Sequence, residues 1–109
     1  MSTFDNREKA FENKYAHDAE MKFKAEARRN KLLGLWGAEI MGMSGEDAES
    51  YARSVVVADL EEAGDEDVFR KVWGDFQERG IGVSEEDLRT KMRTLMADAK
   101  DQIMSEAGD

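Results

Sequence analysis

Residues 65–96, DEDVFRKVWGDFQERGIGVSEEDLRTKMRTLM, contain two helices and the turn between them. Apolar residues recur there at the three- and four-residue spacing of a helix face. In the first helix these residues are Val68, Phe69, Val72, Trp73 and Phe76. Gly80 is suited to end that helix, and Ser84 is suited to cap the next one. The stretch predicts helices over about 66–79 and 85–106.

The same pattern continues upstream and predicts two more helices. One runs over about 46–62, with Ser44 as its N-cap and Gly64 as its stop. Asp59 is placed by this assignment on the apolar face of that helix, either at its rim beside a basic residue or in a functional role. The other helix has an apolar stripe that begins at Leu32 and is ended by Gly42.

Composition restricts the fold and the function. The chain has 109 residues, of which 40% are hydrophobic and 38% charged, with no Pro and no Cys. This length predicts one domain, and the mixture suits amphipathic helices. The absence of Cys excludes disulfides, Cys-ligated zinc and a thiol nucleophile. A net charge of −9 argues against nucleic-acid binding, which depends on Lys and Arg. We therefore expect an all-α, four-helix bundle-like body.

The N-terminal third differs from the rest. Residues 1–31 carry 8 basic and 6 acidic side chains, a net charge of +2, whereas residues 32–109 carry 8 and 19, a net charge of −11. The core-facing stripe stops near residue 30, although helix-forming residues continue upstream. The expected organisation is an N-terminal arm, flexible or helical, over 1–17 and a body over 18–109, with the compact core starting near residue 32.

Aromatic residues return on the arm. Phe4, Phe11 and Tyr15 lie within about 40° of one another on an ideal helix. Two interpretations are open for this aromatic face. It packs back on the body, or it docks in a groove of another protein as an amphipathic helix.

Motifs for catalysis and metal binding are missing. The sequence has no P-loop, no H-E-x-x-H and no Cys–His pair, so we expect no enzymatic activity and no catalytic residues. His17 and Glu20 are spaced for a shared metal, but a single His cannot complete such a site, and no metal is expected. No apolar run is long enough for membrane insertion.

One basic cluster is a candidate anion site. Lys24, Arg28 and Lys31 share one face of the predicted first helix at i, i+4 and i+7. They could hold a phosphate or nucleotide, or they could simply be a solvated face of mixed charge.

Residues 28–36, RRNKLLGLW, resemble the zeta subunit of alphaproteobacterial F-type ATP synthases. The resemblance spans nearly the whole chain. Upstream it includes Thr3 to Asp5, Arg7 to Glu12, His17, Asp18, Glu20 to Phe23 and Ala25 to Ala27, and downstream Glu62 to Gly64, Glu66 to Val72, Val83 and Ser84.

The resemblance implies a four-helix bundle that inhibits ATP hydrolysis. Its N-terminal arm would insert at a catalytic interface between the alpha and beta subunits, reach the gamma subunit of the rotor, and block rotation. The implied contacts on this chain are Phe4, Arg7, Phe11, Lys14 and Tyr15. Because no targeting or membrane segment is visible, we expect a cytoplasmic protein, and we expect a monomer without a cofactor that is held at the inner membrane only through the ATP synthase.

Two other functions are considered beside inhibition. The chain could be a small sensor that binds ATP, ADP or another anion weakly at Lys24, Arg28 and Lys31. It could also be a structural stabiliser of another complex, with the arm as its anchor.

Overall fold

The computed structural model describes the backbone of residues 3–59 and 65–107 and the side chains of residues 19–59 and 65–106. This part of the chain forms four α-helices: α1 (Thr3–Ile40), α2 (Gly45–Ala58), α3 (Glu66–Glu78) and α4 (Glu85–Ala107). The predicted all-α class is confirmed. The long α1 packs mainly against α2 and α4, and α3 closes the bundle.

Glycines end α1 and α3, as their positions in the sequence predict. Gly42 has φ +82° and Gly80 has φ +68°, a backbone region in which a Cβ atom is strained. Beyond Gly42, the Met43 N–H donates to the Ala38 carbonyl at 2.8 Å, and the equivalent bond follows Gly80. Both ends are therefore Schellman-type caps, which satisfy the last helical carbonyls.

Helix starts also follow the sequence. The Asp87 N–H donates to the Ser84 Oγ atom at 3.0 Å, which is the predicted N-cap bond of α4. Ser44 and Asp65 occupy the N-cap positions of α2 and α3, although neither side chain makes a capping hydrogen bond. The predicted N-cap positions of Ser44 and Ser84 are confirmed.

Asp59 is placed differently from the sequence prediction. Helix α2 ends at Ala58, so Asp59 is its C-cap and is partly exposed. It does not lie in the middle of a buried apolar face. Its carboxylate forms no ion pair within the described residues. The residues proposed to continue this helix to Gly64 lie outside the described part of the chain.

One hydrophobic cluster joins all four helices. Its buried members are Leu33, Ala38, Tyr51, Val55, Val68, Phe69, Val72, Phe76, Leu88, Met92 and Leu95. The predicted stripes of α2, α3 and α4 supply most of these side chains. The two tryptophans are less central than their spacing suggests, because Trp36 and Trp73 are half-buried at the edge of the cluster.

The buried face of α1 begins earlier than the apolar pattern predicts. Ala25, Arg29 and Asn30 are at most 2% exposed, although the predicted core started near Leu32. That prediction is wrong because it treated the polar residues on this face as the end of the core. Small and hydrogen-bonded polar side chains fill the interface there instead.

Helices α1 and α2 cross very closely at Gly34. A Cβ atom on Gly34 would lie 2.5 Å from the Ala52 Cα atom, which is backbone and cannot swing aside. A Cβ atom on Gly37, one turn further along, would lie 3.5 Å from the Phe76 ring, an ordinary contact distance. The crossing therefore requires a glycine at 34 but tolerates a methyl group at 37.

We expect Gly34→Ala to destabilise the protein by about 1–3 kcal/mol, because the helices must move apart to relieve the overlap. The matched change Gly37→Ala should be neutral or should stabilise by up to about 1 kcal/mol, since alanine favours the helix. Urea melts of both variants measure the difference. Equal effects of the two changes would contradict the close crossing.

Candidate functional site

The candidate site is the N-terminal part of α1. Helix α1 has 38 residues, which corresponds to about 57 Å. The described side chains from Ala19 to Lys24 are exposed or partly exposed, and the first buried one is Ala25. The predicted contact residues are Phe4, Arg7, Phe11, Lys14 and Tyr15, and their side chains lie outside the described residues, as does that of His17.

Arg28 lies in α1 downstream of the arm and connects this part of α1, called here the base of the arm, to the end of α4. Its guanidinium donates to the Gln102 Oε1 atom at 2.7 Å and to both carboxylate oxygens of Glu106 at 2.9 and 3.1 Å. Two-point contact with a carboxylate fixes direction as well as distance. The point where α1 passes the last turn of α4 is therefore held by three hydrogen bonds.

Arg29 fixes the same region of α1 through contacts in the interior of the bundle. Its side chain is 2% exposed. Its Nε donates to the Asn30 Oδ1 atom at 2.7 Å, and its terminal nitrogen donates to the Asp65 carboxylate at 2.9 Å. A buried guanidinium is costly without such partners. Because Asp65 precedes α3, this pair connects α1 to α3.

Asn30 completes this polar layer only in part. It is 1% exposed, and its Nδ2 atom has no hydrogen-bond partner among the described residues. Sequence reasoning missed both Arg29 and Asn30 as interior residues. The available signal was the spacing of Ala25, Arg29 and Leu33, which lie four residues apart and so share one helix face.

The predicted basic face is largely engaged by carboxylates. Lys24 pairs with Glu20 at 3.1 Å, and Arg28 is bound to α4 as described. Lys31 is exposed and forms no ion pair within the described part of the chain. Anion or nucleotide binding by these three residues stays a prediction.

A tyrosine hydroxyl links α2 to α3. Tyr51 donates to the Asp75 Oδ2 atom at 2.8 Å, and the Lys71 Nζ atom lies 3.0 Å from the same oxygen. Burial, and then the hydrogen bond to Asp75, raises the pKa of Tyr51. A phenol that keeps its proton is a structural donor, so this cluster supports packing rather than catalysis.

Arg89 makes the matching link between α3 and α4. It bonds both carboxylate oxygens of Glu66 at 3.0 and 3.3 Å, and its guanidinium lies 3.8 Å from the centre of the Phe69 ring. This hydrogen bonding lowers the pKa of the Glu66 carboxyl. The cluster is a surface ion pair stacked on the core, a common structural arrangement.

Among the described residues, no three His, Cys, Asp or Glu side chains form a group that could hold a metal ion. None of the described helices combines the length and apolar character needed to cross a membrane.

Comparison with known proteins identifies the family. The family described as ATPase inhibitor subunit zeta matches residues 1–102, which include the whole candidate arm. A solved solution NMR structure is 57% identical, covers 79% of this chain and 98% of its own, and superposes with a TM-score of 0.70. No curated protein matches the sequence significantly. The resemblance seen in residues 28–36 is confirmed, and the chain belongs to the ATPase inhibitor subunit zeta family.

Proposed function

We propose that this chain inhibits ATP hydrolysis by the F-type ATP synthase through its N-terminal arm. Residues 1–17 insert at a catalytic interface between the alpha and beta subunits, reach the gamma subunit, and block rotation in the hydrolysis direction. The chain acts as a cytoplasmic monomer and contacts the inner membrane only through the synthase. It is a regulatory subunit and carries out no chemistry itself.

The observation that supports this proposal most directly is the length of α1 relative to the bundle. The helix begins at Thr3, but its described side chains are buried only from Ala25 onward. The residues from 3 to 24 correspond to about 33 Å of helix. Among the described side chains upstream of Ala25, those from Ala19 to Lys24 are exposed or partly exposed. A long helix with such a segment ahead of its first described buried residue is suited to entering a groove in a larger protein.

The energetics favour an arm that is helical before it binds. Burying Phe4, Phe11 and Tyr15 would contribute about 5–9 kcal/mol. Ordering a dozen disordered residues would cost more, at about 1–2 kcal/mol each. Continuity of the arm with α1, whose base is fixed by Arg28 and Arg29, lowers this cost because the helix is already nucleated.

Phe11 is the residue that tests the arm. It lies between Phe4 and Tyr15 on the aromatic face, and central aromatic anchors commonly contribute about 2 kcal/mol or more to binding. Phe11→Ala should therefore weaken inhibition about thirtyfold, because each 1.4 kcal/mol corresponds to a factor of ten. Titration of purified ATP synthase with each variant, at saturating ATP, measures the half-inhibitory concentration.

Glu12→Gln is the control for this experiment. It leaves the aromatic face intact and relieves the like-charge pair with Glu8, so inhibition should be retained. Thermal melts of both variants separate binding from folding. Unchanged inhibition by Phe11→Ala would reject the arm as the inhibitory element.

A further inference from the structure

An apolar groove with a basic rim lies between α1 and α2. Its volume is about 520 Å³, and its floor is formed by Leu35, Val56 and Val57. Val57 is 56% exposed, although it is one of the large apolar residues of α2. The groove thus offers apolar surface on the outside of a bundle whose core is already complete.

Two cations border this groove. Lys31 on α1 and Arg53 on α2 are both exposed and line it, together with Glu49. Neither cation forms an ion pair with any of the residues described by the structure. Among the described residues that line the groove, the charged ones are these two cations and Glu49, which gives the lining a net charge of +1. The charge of the two cations is available to a ligand.

We propose that this groove is a second docking surface for the ATP synthase, occupied by an acidic amphipathic helix of that enzyme. The apolar face of the helix packs on Leu35, Val56 and Val57, and its flanking carboxylates meet Lys31 and Arg53. The inference rests on the proposed function, since it takes the synthase as the partner. It adds to that function a contact made by the bundle rather than by the arm.

The arm of the same chain does not fill this groove. Leu35 belongs to α1, the same continuous helix that begins at Thr3. The arm would have to leave the helix and reverse direction to reach Leu35 and Val57. A partner helix needs no such change, and its carboxylates complement the charge of the rim.

The arm and the groove would bind the synthase together, because both belong to the same chain. Once the groove is occupied, insertion of the arm becomes an intramolecular event, which raises the apparent affinity without any new contact at the catalytic interface. Loss of the groove should therefore weaken binding but leave inhibition complete at saturating concentrations of the chain.

The experiment compares full-length variants on purified ATP synthase. Val57→Asp and Arg53→Glu alter the floor and the rim of the groove. Met104→Asp and Lys100→Glu make the same types of change on α4, where Met104 is 65% exposed and Lys100 is exposed. Binding is measured by surface immobilisation of the synthase, inhibition by ATP hydrolysis, and folding of each variant by a thermal melt.

We expect both groove variants to bind about tenfold more weakly than the parent chain, with full inhibition at saturation. The α4 variants should bind like the parent. The difference between Arg53→Glu and Lys100→Glu should shrink as salt is raised, because salt screens the rim.

Other results separate this inference from the proposed function. Equal binding of groove and control variants overturns the second docking surface while inhibition by the arm stands. Binding that depends on the groove without any effect on hydrolysis overturns only the proposed function. A chain that does not bind the synthase overturns both. A dimer in sedimentation that Val57→Asp abolishes assigns the groove to a second copy and overturns the proposal.

Discussion

Deletion of residues 1–17 is expected to abolish inhibition of ATP hydrolysis while leaving the bundle folded. The first buried side chain of α1 among the described residues is Ala25, and the base of the arm is fixed at Arg28 and Arg29, downstream of the deletion. The truncated chain should therefore keep a thermal midpoint within a few degrees of the parent. Circular dichroism melts and hydrolysis assays with purified synthase measure the two effects.

Opposite results would change the model of the arm. A large fall in the thermal midpoint would mean that residues 1–17 pack on the bundle and contribute to its stability. Full inhibition by the truncated chain would place the inhibitory contacts on the bundle itself.

Phe76→Ala should cause the largest loss of stability among single core changes, about 3–5 kcal/mol. The Phe76 side chain is 0% exposed, and its ring lies 5.8 Å from the Trp36 ring in an edge-on arrangement. Truncation leaves a cavity beneath α1 at Gly37, which has no side chain to fill it. Urea denaturation followed by tryptophan fluorescence reports the change directly, because Trp36 is the neighbouring fluorophore.

Phe23→Ala is the matched control for that measurement. The residue type and the substitution are the same, but Phe23 is 63% exposed. We expect the free energy of unfolding to change by no more than about 0.5 kcal/mol, as at other surface positions. Comparable losses at the two positions would show that Phe23 is packed and that the cavity at Phe76 is not the cause.

The sequence predicts the helices well because the residues that end or cap a helix act on backbone groups close to them in sequence. Gly80 and Ser84 act through backbone groups within a few residues, so the turn before α4 can be read without knowledge of the rest of the fold. Helix α2 is the exception. Its predicted end at residue 62 relied on continued apolar spacing, whereas the structure ends it at Ala58.

Contacts between helices were predicted less well, since they depend on partners distant in sequence. The polar residue type of Arg29 gives no sign that its side chain is buried. Only the approach of Asp65 makes its burial favourable. The close approach at Gly34 likewise requires knowing that Ala52 lies opposite. The groove beside Val57 is also formed by two helices and has no motif in either one.

Because α1 is a single helix from Thr3 to Ile40, the arm and the bundle share one helical phase. Each residue advances the helix by 1.5 Å and turns it by about 100°. One residue inserted at the exposed segment 19–24 would swing the bundle about a quarter turn around a seated arm. Seven inserted residues would nearly restore the angle but displace the bundle by about 10 Å. In the proposed complex, the length of this segment would therefore determine which side of the bundle faces the enzyme, independently of the identity of its residues.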